Sequence, residues 1–142
     1  MRRGRLIVAV LSIAALAGAL AYLRDPPWLI GVDSGFRAWE SGADSVRYRW
    51  TGGHASFFVP AGANTVTIPL RTTFASPLDA PLTVTITIDD RPVDRITIMD
   101  AAWRTVALHM PPGARRRVRR IDIRVGRTRQ GNKGVQVGEV RW

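Results

Sequence analysis

The first pattern along the chain is an uncharged, mostly apolar run that begins at Leu6 and ends at Leu23. A helix over these residues rises about 27 Å, close to the thickness of the hydrocarbon core of a bilayer. The segment before the run, residues 1–5, carries three arginines and is predicted to stay in the cytoplasm under the positive-inside rule. The pattern therefore predicts a single-pass signal anchor over 6–23 in the inner membrane, with the rest of the chain outside the cytoplasm.

A cleaved signal peptide is the alternative. Two triplets, 17–19 and 19–21, fit the small-x-small rule for a cleavage site, which would leave a secreted or periplasmic protein. The run is longer than the roughly 7 to 15 residues of a signal core. An Arg-Asp-Pro-Pro sequence follows at once and is typical of a stop and a stiff linker over 24–34, which favours a retained anchor. Either alternative places the following domain outside the cytoplasm.

Beyond the linker, apolar and polar residues alternate with period two. The run Leu82–Ile88 alternates leucine, valine and isoleucine with threonine, as a strand with one buried face does. About eight short strands separated by turn-rich segments favour an antiparallel β-sandwich or jelly roll over 35–142. The other predicted strands are 46–50, 55–59, 66–70, 93–99, 103–110, 121–125 and 134–142, and the predicted turns are 51–53, 60–64, 76–77, 89–92, 111–113 and 131–134.

The composition excludes several kinds of chemistry. The chain has no cysteine, so disulfides, a thiol nucleophile and a cysteine-ligated metal site are impossible. It also contains no Gly-x-Ser-x-Gly elbow, no His-Glu-x-x-His helix and no phosphate-binding loop. We therefore predict a protein that is not an enzyme and that uses no cofactor and no metal, with an envelope hydrolase as a weaker alternative.

Positive charge is concentrated near the end of the chain. The net charge is +10, and residues 104–142 hold eleven Arg or Lys against two acidic residues. The membrane topology argues against nucleic acid as a partner, so an anionic lipid surface or acidic polysaccharide is the expected counterpart. A solvated strand edge is the alternative explanation. The residues predicted to bind an anionic surface are Arg115, Arg116, Arg117, Arg119 and Arg120.

A second set of residues has the chemistry for binding a saccharide. Sugar recognition needs an exposed flat ring beside a few planar polar groups, and Trp39 with Arg37 and Glu40 is the one local cluster that offers both. In a β-sandwich such groups lie on loops at one end, here 51–54 and 127–133. Those loops add His54, Arg127, Arg129 and Asn132 to the candidate site. Trp50 and Trp103 are predicted to fill the core.

Several short motifs resemble a known group of domains. They are Gly35-Phe36 with Glu40, the run 48–52 (Tyr-Arg-Trp-Thr-Gly), 58–60 (Phe-Val-Pro), and the closing 133–137 (Lys-Gly-Val-Gln-Val). Together they resemble small extracytoplasmic β-sandwich domains, galactose-binding-like or carbohydrate-binding-module-like, of bacterial membrane proteins associated with glycosyltransferases. The resemblance covers about residues 31–142. It implies a saccharide or glycolipid ligand, a membrane glycosyltransferase as partner, and no catalytic residues.

The sequence thus predicts a membrane-anchored extracytoplasmic binding or accessory module of the bacterial cell envelope. It would bind a saccharide or glycolipid or assist a membrane glycosyltransferase. The alternative is a structural or assembly subunit that docks on anionic lipid or protein through its arginine-rich C-terminal third.

The topology can be tested with a reporter fused after Trp142. Because the N-terminal arginines hold residues 1–5 in the cytoplasm, an alkaline phosphatase fusion should be active and a green fluorescent protein fusion dark. The reverse pattern would overturn the predicted compartment and readmit nucleic acid as a partner.

Overall fold

The computed structural model describes residues 2–72, 81–113 and 116–142. A helix, α1 (Arg2–Arg24), leads through a 3-10 helix (Pro27–Gly31) into an antiparallel β-sandwich, which confirms the predicted fold class. The strands of the described residues are β1 (Asp33–Phe36), β2 (Glu40–Ser41), β3 (Arg47–Pro60), β4 (Thr65–Arg71), β5 (Leu82–Ile88), β6 (Arg91–Ile98), β7 (Arg104–His109), β8 (Val118–Val125) and β9 (Gln136–Val137).

Helix α1 carries its apolar side chains into solvent. It is the one helix of the described residues that is long and apolar enough to cross a membrane, and its leucines, valines and isoleucines are more than half exposed. An apolar helix that buries none of its side chains in the domain needs another apolar environment. This is consistent with an anchor and equally with a signal sequence.

Two sheets share strand β3. Its second half pairs with β8, which also pairs with β5, and β5 pairs with β6. Its first half pairs with β9, which also pairs with β4, and β4 pairs with β7. We call β1-β3-β8-β5-β6 the first sheet and β3-β9-β4-β7 the second sheet. All pairings are antiparallel.

The core lies between the two sheets and is built from every second residue of the strands. In β5 the apolar residues are buried and the threonines half-buried, as the alternation predicted. The largest fully buried side chains are branched aliphatic ones, which suit the pleated surface of a strand. They include Ile68, Leu70, Leu82, Ile86, Ile88, Ile98, Ile121 and Ile123.

The β5–β6 hairpin turns through Asp89 and Asp90, as predicted. Both residues have positive φ angles, 49° and 67°, and Ile88 pairs directly with Arg91. Positive φ at both central positions is the requirement of a two-residue type I′ turn. Aspartate is among the few side chains that tolerate this backbone conformation.

The predicted turn at 51–53 is wrong, because these residues continue β3 as one 14-residue strand. The two strands predicted at 46–50 and 55–59 are therefore one, and His54 lies in a strand and not in a loop. The glycines serve close chain approach: a Cβ added to Gly134 would lie 2.5 Å from the carbonyl oxygen of Gly52. The two adjacent glycines, which predicted a turn, instead mark the place where residues 134–135 cross β3.

The predicted strand at 134–142 is shorter than expected. Only β9 and a single bridge from Arg141 to Thr67 form ladder contacts. Between them Gly138 donates its N–H to the carbonyl of Pro69 at 2.9 Å. Pro69 has no N–H to return, which interrupts the ladder. The predicted turn at 76–77 lies outside the described residues.

The close approach at Gly134 predicts a stability difference between two Gly→Ala variants. Gly134→Ala brings a methyl group against backbone and should destabilise by about 1 to 3 kcal/mol. Gly62→Ala, with open space around the new methyl group and no positive φ, should be neutral or stabilise by about 0.4 to 1 kcal/mol. Urea unfolding of both variants beside the parent measures the difference. Equal midpoints for the two would contradict the crossing.

Candidate functional site

Three aromatic rings form a continuous row on the second sheet. The ring centroids of Tyr48 and Trp50 are 6.2 Å apart with the rings perpendicular, and those of Tyr48 and Trp103 are 6.4 Å apart. Edge-on and tilted contacts at these distances are favourable arrangements of aromatic pairs. We call Trp103, Tyr48 and Trp50 the aromatic row.

Strand pairing places this row on the face of the sheet that points away from the core. Trp50 pairs with Gln136, and Gln136 pairs with Arg71, so the three side chains share one face. Their neighbours Leu70 and Val137 point the other way, into the core. Tyr48 lies two residues before Trp50 and therefore on the same face.

Two of the three rings, Trp103 at one end and Tyr48 in the middle of the row, donate hydrogen bonds to carboxylates, whereas the buried Trp50 Nε1–H has no hydrogen-bond partner among the described residues. The Trp103 indole Nε1–H donates to Asp44 Oδ2 at 3.2 Å, and the Tyr48 hydroxyl donates to Glu40 Oε2 at 3.2 Å. The pKa of Asp44 lies below its usual value. The main cause is the hydrogen bond from the Val46 N–H, and the Trp103 indole and the Arg71 guanidinium lower the pKa further. Burial raises the pKa of Tyr48, and the hydrogen bond to Glu40 raises it further. Asp44 is therefore charged and Tyr48 a proton donor near neutral pH.

Two cations cover the ring faces. The Arg71 guanidinium lies 4.6 Å from the ring centroid of Trp103 and 5.4 Å from that of Tyr48. It also donates to Gln136 Oε1 and lies 3.4 Å from Asp44 Oδ2. The Lys133 ammonium lies 5.1 Å from the centroid of Trp50. Both are cation–π contacts, which hold the cations beside the rings.

Three of the residues predicted from sequence to bind a ligand lie beside the row. Glu40 accepts the Tyr48 hydroxyl hydrogen bond. The Arg37 backbone N–H donates to the Trp50 carbonyl at 2.9 Å, and the Arg37 guanidinium donates to the Gly131 carbonyl. Asn132 packs against Gly52, directly before Lys133. The loop 127–133, which the sequence analysis placed with the Trp39 cluster, thus folds next to the row, and the binding role of its Arg127 and Arg129 stays a prediction.

Trp39 lies in a separate cleft. The cleft has a volume of about 300 Å³ and is lined by Trp39 and Trp142 among other residues. The guanidinium groups of Arg47 and Arg49 lie 5.1 and 5.0 Å from the Trp39 ring centroid, and Arg49 also pairs with Asp33. The local cluster Arg37-Trp39-Glu40 seen in the sequence is therefore divided between two surfaces.

His54 belongs to a third surface, on the outer face of the first sheet. Its Nε2 lies 2.8 Å from Oδ1 of Asp122, a carboxylate that is only 2% exposed. Asp122 also accepts bonds from Thr87 Oγ1 at 3.3 Å and Arg120 Nε at 3.0 Å. Burial alone would raise the pKa of Asp122, but the bonds and charges of His54 and Arg120 outweigh it and lower the pKa.

The arginine run is largely paired inside the protein. Arg116 binds Asp25 at 2.8 Å, Arg119 binds Asp89 at 3.0 Å, and Arg120 binds Asp90 and Asp122. Arg119 is 7% exposed, the Arg117 side chain is exposed, and Arg115 lies outside the described residues. The anionic-surface role of this run stays a prediction, with less free charge available than the sequence suggested.

The sequence missed four members of the site: Arg71, Asp44, Gln136 and Lys133. They come from segments far apart in the chain and carry no common motif. Tyr48 and Trp103 were visible as strand aromatics, but Trp103 was predicted to fill the core. Trp103 is half-buried on the outer face. Trp50 is buried, as predicted, but on that same outer face and outside the core cluster between the sheets. Among the described residues no three His, Asp or Glu side chains are grouped to hold a metal ion.

Searches of protein families and of curated proteins found no match. Solved structures with a similar chain path include a family two carbohydrate esterase from Cellvibrio japonicus, with 17% identity and a TM-score of 0.49 over 76% of this chain. The chain spans 29% of the length of that esterase.

Two carbohydrate-binding modules are also similar in structure. A family 35 module from an environmental isolate has 15% identity and a TM-score of 0.46, covering 75% of this chain and 85% of the module. The module CBM36, solved with calcium and xylotriose, has 10% identity and a TM-score of 0.47, covering 78% and 91%. Structural similarity at this level does not identify a ligand or an activity. Any conclusion about the ligand depends on the side chains described above.

The Asp122 network predicts how stability changes with pH. Asp122→Asn removes a buried charge that pairs with Arg120 and is hydrogen-bonded by His54 and Thr87, and should cost about 2 to 4 kcal/mol at pH 7. The pKa of Asp122 is lower in the folded protein than in the unfolded chain. The ionised carboxylate therefore stabilises the folded state fully at pH values above the unfolded pKa, and this stabilisation is lost as the pH falls through the folded pKa. The gap between parent and variant should therefore close in acid, below about pH 3.9.

Asp90→Asn is the matched control. Asp90 binds the same Arg120 but its side chain is 75% exposed, so this variant should change stability by less than about 1 kcal/mol. Urea unfolding at several pH values measures both. If the gap for Asp122→Asn stays constant into acid, the ionised carboxylate is not the source of the stabilisation.

Proposed function

We propose that the chain is a non-catalytic, membrane-anchored module that binds a saccharide along the aromatic row outside the cytoplasm. The observation that carries this proposal is the row itself: the half-buried rings of Tyr48 and Trp103 lie on one sheet face, backed by the buried ring of Trp50 and bordered by carboxylate, guanidinium, amide and ammonium groups. A ligand site combines apolar or aromatic surface with a few placed polar groups. Sugars offer both chemistries, apolar C–H faces for the rings and hydroxyl groups for the polar border.

The row is pre-organised for such a ligand. Asp44 and Glu40 hold the polar atoms of Trp103 and Tyr48 in place, and Arg71 is fixed between Asp44 and Gln136. Side chains that are already ordered lose little conformational freedom on binding. A weakly interacting ligand such as a short saccharide gains most from a surface of this kind.

Charge favours an uncharged ligand. The groups that touch the rings are two cations, Arg71 and Lys133, and two carboxylates, Asp44 and Glu40. Their charges balance, so the row attracts neither anions nor cations strongly. We therefore propose a neutral saccharide, or the neutral glycan part of a glycolipid, and expect binding that added salt leaves unchanged.

The hydrogen bonds of the described residues favour binding over catalysis. Ser56 Oγ on the first sheet bonds Ser34 Oγ at 2.8 Å, and the neighbouring His54 directs its Nε2 to Asp122. A serine hydrolase needs instead a bond from the serine to the histidine. The association with a membrane glycosyltransferase implied by the sequence resemblance stays a prediction, as does the retained anchor.

The test is retention of the detergent-solubilised full chain on immobilised neutral and acidic polysaccharides. The single variant Trp103→Ala and the double variant Tyr48→Phe/Arg71→Gln should each weaken retention on a neutral polysaccharide. The expected loss is about tenfold or more, as for truncation at a binding hot spot. Far-UV and near-UV circular dichroism would verify that each variant is folded.

Trp39→Ala is the matched control, because it removes an exposed ring outside the row and should leave retention unchanged. Loss of binding in Trp39→Ala with full binding in Trp103→Ala would move the site to the Trp39 cleft. A parent retained on no polysaccharide, or only on acidic ones in a salt-sensitive way, would contradict the proposal.

A further inference from the structure

A large cleft lies where α1 meets the sandwich, and the aromatic row takes no part in it. Its volume is about 990 Å³. We call it the helix-exit cleft. It is lined by the end of α1 and the following 3-10 helix, the β5–β6 turn, the β7–β8 connection and the start of β8, including Arg24, Leu29, Arg91, Val93, Arg116 and Arg119.

An ion pair between a half-exposed arginine and a buried aspartate fixes this cleft to the end of α1. Arg116 Nε lies 2.8 Å from Asp25 Oδ1, and its Nη2 donates to the Arg24 carbonyl at 2.9 Å. The Arg117 N–H reaches the second Asp25 oxygen at 3.4 Å. A cation bound to the last carbonyls of a helix also interacts favourably with the helix dipole. The cleft therefore opens at the level where an anchor helix leaves the hydrocarbon.

The cleft carries an excess of positive charge. Asp25, Asp89 and Asp90 each pair with one of its arginines. Arg24 and Arg91, which line the same cleft, form no ion pair with a described residue. In addition, the Nε of Arg119 is buried without a hydrogen-bond partner among the described residues. Guanidinium groups bind phosphate oxygens through paired N–H donors.

The rim of the cleft is apolar. Val93 is 42% exposed in the β5–β6 hairpin, and Pro92, Pro111 and Pro112 lie beside it. Trp28, 60% exposed, directly precedes the Leu29 that lines the cleft. Tryptophan beside basic residues is typical of the boundary between lipid and water. A cationic cleft with an apolar rim matches a phospholipid, with its anionic head and apolar tail, better than a small soluble anion.

We propose that the helix-exit cleft binds the headgroup of an acidic phospholipid from the leaflet into which α1 emerges. Arg24 and Arg91 contact the phosphate, while the apolar rim contacts the glycerol and the start of the acyl chains. Bound lipid then holds the sandwich against the membrane with the aromatic row on its other sheet. The proposal rests on the membrane anchor of the proposed function, and it is independent of the saccharide.

Native mass spectrometry of the detergent-solubilised full chain tests it. At equal added concentrations, phosphatidylglycerol should be retained in preference to phosphatidylcholine. Arg91→Gln should weaken the retention of phosphatidylglycerol about fivefold, the effect of about 1 kcal/mol per basic residue at a lipid surface. Excess inorganic phosphate should not displace the lipid, since it cannot use the apolar rim.

Arg95→Gln is the matched control, since it removes the same charge from an exposed position on the same strand without touching the cleft. Equal retention of the two lipids, or equal loss in both variants, overturns the proposal, and displacement by phosphate replaces it with a small-anion site. A parent that fails to reconstitute into nanodiscs contradicts the anchor and this proposal together. Insertion without lipid preference contradicts this proposal alone.

Discussion

The fold depends on the hydrogen bonds between Thr51 and the segment that crosses it. The Thr51 N–H donates to the Val135 carbonyl, its carbonyl accepts the Gly134 N–H, and its hydroxyl accepts the Val135 N–H at 3.0 Å. Thr51 is fully buried, so each of these polar groups must be satisfied within the protein. This crossing lies where β3 passes from one sheet to the other, and it holds the two sheets in register.

The candidate saccharide site is a consequence of that crossing. Residues 134–135 lead directly into β9, which places Gln136 between Trp50 and Arg71. The preceding loop brings Lys133 over Trp50 and Asn132 against Gly52. The aromatic row is therefore assembled by a strand of only two residues, whose position depends on glycines that let two backbones approach.

Aspartates form ion pairs with much of the arginine run near the end of the chain. Three arginines of one short run, Arg116, Arg119 and Arg120, form ion pairs with four aspartates: Asp25, Asp89, Asp90 and Asp122. The type I′ turn at 89–90 has a double role, since its backbone closes the hairpin while both side chains bind arginines of β8. What remains unpaired at this end of the sandwich is a small cationic excess beside the helix exit, which is the basis of the lipid proposal.

The sequence alone determined the apolar helix, most of the strands and the Asp89-Asp90 turn, because these depend on local periodicity and on local backbone preferences. Period two divides a strand into two faces without saying which one meets the core, so Trp103 was predicted inside and lies outside. Glycine marks turns and close backbone approach alike, so 51–53 was predicted as a turn. The decisive contacts are long-range ones: the Arg116–Asp25 pair joins residues 91 positions apart, and the Trp103–Asp44 hydrogen bond joins residues 59 apart. Only the tertiary structure could decide them, because a long-range contact depends on how the sheets pack and leaves no pattern in either segment.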